Sequence, residues 1–248
     1  MELYITLFLT FLIGVLASFI GAIVGGGGLL SIPFLMFIGL PPQTAIATNK
    51  FGSVGLSIGS LIKFKKENKI VWSYVLFFSI LSILGGVIGA NILLKINETY
   101  LSNIIGIVLL VLLPFVFLKK DLGIKNKTSS NAKKVIGSFV YFLLMIFGGF
   151  FGGGTGILII STLMYFFGFK IIEANATDMV PWFLLSIISL IIFMIYGIVN
   201  YYVGFILFFG MLLGGYIGAH TAIKKGDKFV KNLFIVLIII SSIKILFL

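Results

Sequence analysis

The sequence repeats itself once, without a gap, at a spacing of 129 positions. A glycine-rich segment at 25–28 opens the first copy, and another at 152–156 opens the second. The same spacing carries these residues onto their equivalents: Gly39 to Gly168, Ala47-Thr48 to Ala176-Thr177, Ser60-Leu61 to Ser189-Leu190, Gly85-Gly86 to Gly214-Gly215 and Asn103 to Asn232. Because glycines, small residues and polar residues all keep this register, the chain must consist of two copies of one unit.

The chain is too apolar to be a soluble domain. Of its 248 residues, 60% are hydrophobic and 10% are charged, and the mean hydropathy is +1.24. Several uncharged stretches reach the roughly 20 residues that cross a bilayer as a helix, and the alternation typical of a membrane barrel is absent. We therefore predict an all-α integral membrane protein with about eight to ten helical elements, whose first apolar segment is a retained span.

The distribution of lysine predicts the orientation. All 18 basic residues are lysine, and fourteen of them lie in the loops 63–69, 119–134 and 224–231. The positive-inside rule places these loops in the cytoplasm, with both termini outside the cell membrane. The loop 192–198, equivalent to 63–69, is uncharged. The charge bias thus reverses between the copies, which predicts two repeats of inverted topology, an arrangement typical of secondary transporters.

The predicted organisation is a first transmembrane repeat at 1–118, a basic cytoplasmic linker at 119–134 and a second repeat at 135–248. Each repeat opens with segments that read as too short to span a bilayer, at 29–62 and 157–192, broken by glycine and proline. Re-entrant hairpins and short tilted spans both fit these segments. A single turn is expected at 197–200.

Broken helices at membrane depth are tolerated only beside protein or a water-filled cavity, so the paired breaks mark the candidate site. Thr48-Asn49 and Thr177-Asp178 have residue types that cap helix starts, where free N–H groups attract an anion; simple capping is the alternative interpretation. Other paired glycines, such as Gly85-Gly86, fit helix packing. The predicted substrate-binding residues are Gly25, Gly26, Gly27, Gly28, Thr48, Asn49, Lys50, Gly152, Gly153, Gly154, Thr155, Gly156, Thr177 and Asp178.

Asp178 is also a candidate for ion coupling, because an ionisable group at membrane depth is a functional hypothesis by default. A helix cap near the interface is the alternative for this residue. The chain has no cysteine, one histidine and no acidic pair suited to catalysis. We therefore expect neither an enzyme nor a metal or cofactor site, and the lysine clusters report topology rather than nucleic-acid binding. The sequence leaves open whether the chain forms a homo-oligomer.

The glycine break, Ser31-Ile32-Pro33-Phe34-Leu35, Gly39 and Ala45-x-Ala47-Thr48-Asn49-Lys50, repeated more weakly after residue 150, resemble the sulfite exporter TauE/SafE family of membrane transporters. The resemblance covers essentially the whole chain. It implies a secondary transporter that moves a small anion, such as sulfite, thiosulfate, a sulfonate or an organic acid, across the bilayer by alternating access. The second copy departs from the pattern by having Asp178 where the first has Asn49. The alternative is a proton- or cation-coupled carrier of another small solute, with Asp178 as the ion site.

Overall fold

The computed structural model describes residues 2–25, 27–97, 123 and 129–246, and all regular elements in these ranges are helical. The helices are α1 (Glu2–Val24), α2 (Gly28–Phe37), α3 (Pro42–Lys66), α4 (Trp72–Lys95), α5 (Asn131–Phe150), α6 (Thr155–Thr162), α7 (Ile171–Ile195) and α8 (Tyr201–Leu246). A π-helical turn, Leu163–Phe167, continues α6, and α8 is interrupted at Gly226, where φ is 81°.

Several helix boundaries repeat at the same spacing as the residues. α1 and α5 begin at Glu2 and Asn131, and α4 and α8 begin at Trp72 and Tyr201, in each case 129 positions apart. α3 and α7 are separated by 129 positions at both ends. The sequence duplication is therefore a structural duplication, and the predicted turn at 197–200 lies between α7 and α8.

The helices have the length and composition of membrane spans. Five in the described ranges are long and apolar enough to cross a bilayer: Tyr4–Val24, Trp72–Lys95, Asn131–Phe150, Ile171–Ile195 and Tyr201–Leu233. The span predicted at 101–118 lies outside the described residues, as does most of the linker at 119–134. These helices confirm the predicted all-α membrane fold.

The prediction that each repeat opens with two short segments is wrong for the second segment. α2 has 10 residues, but α3 has 25. α6 and its π-helical turn are likewise short, whereas α7 has 25 residues. Pro42 occupies the first helical position of α3 and favours a helix start there. At the start of α7, the Lys170 amide donates a hydrogen bond to the Glu173 side chain at 3.2 Å. Each break is thus one short helix followed by one long helix.

The two repeats exchange their helices. α4 of the first repeat packs on α5 and α7 of the second, and α8 of the second repeat packs on α1 and α3 of the first. Glycines permit this close packing, as predicted: a Cβ atom would overlap the backbone or side chain of Met145 at Gly85, Ile146 at Gly89, Val15 at Gly214 and Phe19 at Gly218. Neither repeat therefore buries its own packing faces without the other.

Hydrogen bonds across the repeats come in matched pairs. Thr48 Oγ1 accepts from the Asn200 amide at 3.0 Å, and Thr177 Oγ1 accepts from the Val71 amide at 3.0 Å. Adding 129 to Thr48 and Val71 gives Thr177 and Asn200, so each bond is the other one shifted by one repeat. The early part of α3 therefore lies beside the chain that follows α7, and the early part of α7 lies beside the chain that follows α3. α3 and α7 run antiparallel, as an inverted repeat requires, while the inverted topology in the bilayer stays a prediction.

The lysine-rich segments gather at one end of this bundle. Lys134, at the start of α5, places Nζ 5.8 Å from the ring centroid of Tyr74, just beyond the loop 63–69. Asp227, in the segment 224–231, accepts a hydrogen bond from the Ile172 amide at 3.1 Å, at the start of α7. Cytoplasmic exposure of this end stays a prediction from the lysine count.

We expect Gly59→Ala to destabilise the protein by about 1–3 kcal/mol, because its methyl group would overlap the Leu212 backbone where α3 packs on α8. Gly86→Ala is the matched control, since its methyl group would lie 3.4 Å from the nearest atoms of Leu185, at ordinary contact distance. Thermal unfolding in detergent should separate the two variants. Equal unfolding midpoints would contradict the close packing described for α3 and α8.

Candidate functional site

The two glycine breaks meet in the centre of the bundle. A Cβ atom at Gly25 would lie 2.5 Å from the carbonyl carbon of Gly156, and one at Gly28 would lie 2.9 Å from Gly153 Cα. Gly25 also has φ of 81°, a conformation that L side chains rarely adopt. Only glycine backbones fit this contact between the repeats.

Two short helices begin at this contact. α2 starts at Gly28 and α6 at Thr155, and neither start has a side-chain cap. The third amide of each helix bonds the carbonyl just before the helix, Leu30 N to Gly27 O and Ile157 N to Gly154 O, both at 3.1 Å. The first two amides of each helix have no carbonyl partner within the helix, and this end carries the positive end of the helix dipole. The starts of α2 and α6 therefore bring free N–H groups from both repeats to one place.

The predicted helix starts at Thr48-Asn49 and Thr177-Asp178 are wrong. Both threonines occupy the seventh position of a 25-residue helix, because α3 begins at Pro42 and α7 at Ile171. Their hydroxyls hold the amides of Asn200 and Val71, which is a structural role. The helix starts that could bind an anion belong to the glycine breaks themselves.

A small cavity of about 30 Å³ lies at this meeting point. Seven of the predicted residues line it: Gly25, Gly27, Gly28, Asn49, Gly152, Gly156 and Asp178. Thr48, Lys50, Gly153, Gly154, Thr155 and Thr177 do not line it, and Gly26 lies outside the described residues. The cavity also has seven lining residues outside the predicted binding set: Gly21, Ser53, Leu56, Asn175, Met179, Trp182 and Met211.

Helical spacing accounts for most of the missed residues. Ser53 and Leu56 follow Asn49 by four and seven positions, and Asn175 and Trp182 lie three positions before and four after Asp178. Residues at these spacings share one face of a helix. This signal becomes readable only when helices are known to continue through Asn49 and Asp178, and the expected helix starts there concealed it.

Asn49 and Asp178, the equivalent residues of the two repeats, are held in different ways. Ser31 Oγ donates to Asn49 Oδ1 at 2.6 Å, which leaves the Asn49 Nδ2 donor for the cavity. Tyr141 donates its hydroxyl hydrogen to Asp178 Oδ1 at 2.7 Å, which leaves Oδ2 without a protein donor. The first repeat thus presents a hydrogen-bond donor, and the second presents a carboxyl oxygen.

Lys50 is buried beside the cavity rather than in its wall. Its side chain is 1% exposed, and Nζ donates to the Gly148 carbonyl and lies 5.3 Å from the ring centroid of Trp182. Within the described ranges, no acidic side chain lies at ion-pair distance from it. A buried charge is costly without compensation. Lys50 therefore places its amine near the cavity with no carboxylate beside it.

Apolar helices arranged as a duplicated bundle, with short broken helices around a central cavity, define a multi-pass membrane protein of the kind that includes secondary transporters. Residues 10–245 match the family model of the sulfite exporter TauE/SafE family. The chain belongs to this family, and the family resemblance drawn from the sequence is confirmed.

Similar proteins cover nearly the whole chain. A "probable membrane transporter protein" of Haemophilus influenzae is 29% identical, with 96% of this chain and 93% of that protein aligned. The Escherichia coli K12 protein YfcA, with the same description, is 27% identical over 96% and 88%, and the Bacillus subtilis protein YunE is 26% identical over 95% of both chains. No solved structure matches. The family and these relatives support membrane transport as the activity.

We expect Thr177→Val to lower stability by about 1 kcal/mol without changing anion affinity, because the Val71 amide loses its acceptor outside the cavity. Thr48→Val should cost a similar amount, since it removes the equivalent bond to Asn200. Thermal unfolding with and without anion measures both quantities. A weakened anion response at normal stability would return these threonines to the binding site.

Proposed function

We propose that this protein is a secondary transporter for a small anion, with its binding site in the cavity between the glycine breaks. The observation that carries the proposal is the meeting of two uncapped helix starts, one from each repeat, at a single cavity. Amides at a helix start and the associated dipole favour an anion, as in other sites of this type.

The surrounding charges support the same substrate class. Asn49 Nδ2 adds a donor in the cavity wall, and the buried Lys50 amine, one residue further along α3, would attract an anion when protonated. The family is described as sulfite exporters, which makes a sulfur oxyanion or sulfonate the leading substrate, with a small organic acid next. Backbone amides can donate hydrogen bonds to the oxygens of any of these groups. They therefore indicate that the substrate is an anion without distinguishing among these anions.

The exchanged helices provide a means of alternating access. α8 binds the first repeat and α4 binds the second, so a tilt of one repeat against the other would move the helices that cover the cavity. The lysine-rich end would face the cytoplasm of a cell membrane and both termini would lie outside, following the positive-inside rule. The substrate would then reach the glycine contact from each side in turn.

Because of the membrane potential, Asp178 would be needed for ion coupling in uptake but not in export. A monoanion that leaves a cell with a negative interior gains about 2.3 kcal/mol per 100 mV, so export needs no coupled ion. Uptake needs a cation to offset this energy, and Asp178 is the acidic residue in the cavity wall. The alternative function, a proton- or cation-coupled carrier of another solute, rests on this carboxyl group.

We expect anions to raise the thermal unfolding midpoint of the purified protein. A panel of sulfite, thiosulfate, a small sulfonate and a small carboxylate would be compared with chloride at equal ionic strength. Liposomes containing the protein would then be tested for flux of the best ligand under an imposed potential. If no anion in the panel either stabilises the protein or crosses the membrane, the proposed function is wrong.

We expect Asn49→Leu to weaken binding of the stabilising anion about tenfold to a hundredfold, because it removes a donor to a charged ligand at nearly constant side-chain volume. Ser57→Ala is the matched control on the same helix, since Ser57 donates to the Ser53 carbonyl and lies outside the cavity wall. Titration by thermal shift would measure both affinities. Unchanged affinity in the Asn49 variant would remove this residue from the site.

For coupling, we expect Asp178→Asn to make anion flux independent of a pH gradient while anion exchange across the membrane continues. The asparagine side chain has nearly the same shape as aspartate, but it does not gain or lose a proton at physiological pH. Flux driven by a pH gradient and counterflow without one would be measured on the same liposomes. Gradient-driven flux that persists in the variant would contradict coupling through Asp178.

A further inference from the structure

One buried acceptor in the cavity wall lacks a hydrogen-bond donor. Asn175 is 1% exposed, and its Nδ2 donates to the Ala22 carbonyl at 2.6 Å, which fixes the orientation of the amide. Asn175 Oδ1 is buried and accepts no hydrogen bond within the described structure. An unsatisfied buried acceptor is costly, so such a group calls for an explanation.

The missing hydrogen has a source on the same helix face. Asp178 follows Asn175 by three positions, a spacing at which helical side chains are neighbours, and both residues line the cavity. Tyr141 already occupies Asp178 Oδ1, so the second oxygen, Oδ2, is the one available to carry a proton. A protonated carboxyl group is a donor, whereas a carboxylate only accepts.

A water molecule or a metal ion fits this position less well. Asn175 Oδ1 is inaccessible to solvent although its side chain lines the cavity, so a bound ion would need additional space beside it. A proton on Asp178 needs none. The local geometry thus favours a hydrogen on a side chain that is already in place.

We propose that Asn175, Asp178 and Tyr141 form one proton-binding site, in which Asn175 Oδ1 accepts the carboxyl proton on Asp178 Oδ2 and Tyr141 fixes Oδ1. The carboxylate gains one proton and loses its charge, and no other bond changes. Asn175 and Tyr141 are positioning residues for this proton. The proposal rests on the proposed anion transport and assigns the coupling ion to that same cavity.

The other groups around Asp178 are compatible with this role. Tyr141 of α5 is its contact among titratable side chains, and Lys50 of α3 lies about one turn away, over Trp182. α1, α6 and α8 face the cavity with Gly21, Gly156 and Met211, which do not titrate. Ser82 of α4 lies 3.5 Å from the Tyr141 hydroxyl, and Asp227 of α8 contacts α7 nearly two turns away, at Ile172.

The two positioning residues should have opposite effects on the protonation of Asp178. Asn175→Leu removes the acceptor of the proton, so it weakens the protonated form. Tyr141→Phe removes a donor to the carboxylate, so it weakens the ionised form. We expect the midpoint of the Asp178 titration to move to lower pH in the first variant and to higher pH in the second, by about one pH unit each.

Infrared difference spectroscopy after a pH jump measures this titration in the intact protein without any substrate. The carbonyl band of the protonated carboxyl group is assigned to Asp178 by its loss in Asp178→Asn. Ser186→Ala is the matched control, because Ser186 is also a buried, unpartnered residue of α7 but lies outside the cavity wall. We expect this control to leave the midpoint unchanged.

Shifts of the two variants in the same direction, no shift, or an equal shift in the Ser186 control would overturn the three-residue site. Circular dichroism would verify that each variant is folded. If Asn175→Leu does not fold, Asn175→Ser, with a shorter acceptor, and Tyr141→Phe carry the same test. A normal titration in a protein that neither binds nor moves any anion would instead overturn the proposed function and leave the proton site standing.

Discussion

The close contact between Gly25 and Gly156 determines where the two repeats meet and where the short helices begin. Two backbones can approach this closely only where neither residue has a side chain, and the positive φ of Gly25 imposes the same requirement. The contact stops the first helix of a repeat and starts a short one in the centre of the bundle. Free amides therefore arise where the repeats touch, and the cavity forms around them.

The matched bonds of Thr48 and Thr177 show how the two repeats depend on each other. Each threonine accepts a hydrogen bond from an amide in the segment that follows the equivalent helix of the other repeat, and α4 and α8 are exchanged between the repeats. Packing across the repeats uses glycines against backbone, so the helices of the two repeats lie close together.

The two repeats differ in the polar side chains that they place in the cavity wall. Asn49 and Asp178 are equivalent positions, but the first is held by Ser31 and the second by Tyr141, and the equivalents of Ser31 and Tyr141 are Ile160 and Leu12. Asn175 likewise has Ile46 as its equivalent. The amides that suit an anion come from both repeats, whereas the groups that could hold a proton come from the second repeat alone. The two repeats thus share a fold but contribute different side chains to the cavity.

The sequence predicted the duplication, the helical membrane fold and the importance of the glycine breaks, because each depends on residue type at a fixed spacing. It misplaced the helix starts at Thr48 and Thr177, since cap-forming residues also occur inside helices, where tertiary contacts use their hydroxyls. Asn175 and Trp182 were missed because their significance depends on which helix face meets the opposite repeat. That information comes from packing between residues about 129 positions apart, which local patterns do not contain.

The position of the two tryptophans allows a direct test of the central claim that an anion binds where the glycine breaks meet. Trp182 lies in the cavity wall, whereas Trp72, the other tryptophan in the sequence, is 55% exposed at the end of the bundle. In Trp72→Phe protein, we expect a saturable change of Trp182 emission on addition of the stabilising anion, and a weaker response when Asn49→Leu is added. Transport of that anion without any change in Trp182 emission, or a response unaffected by Asn49→Leu, would contradict this claim.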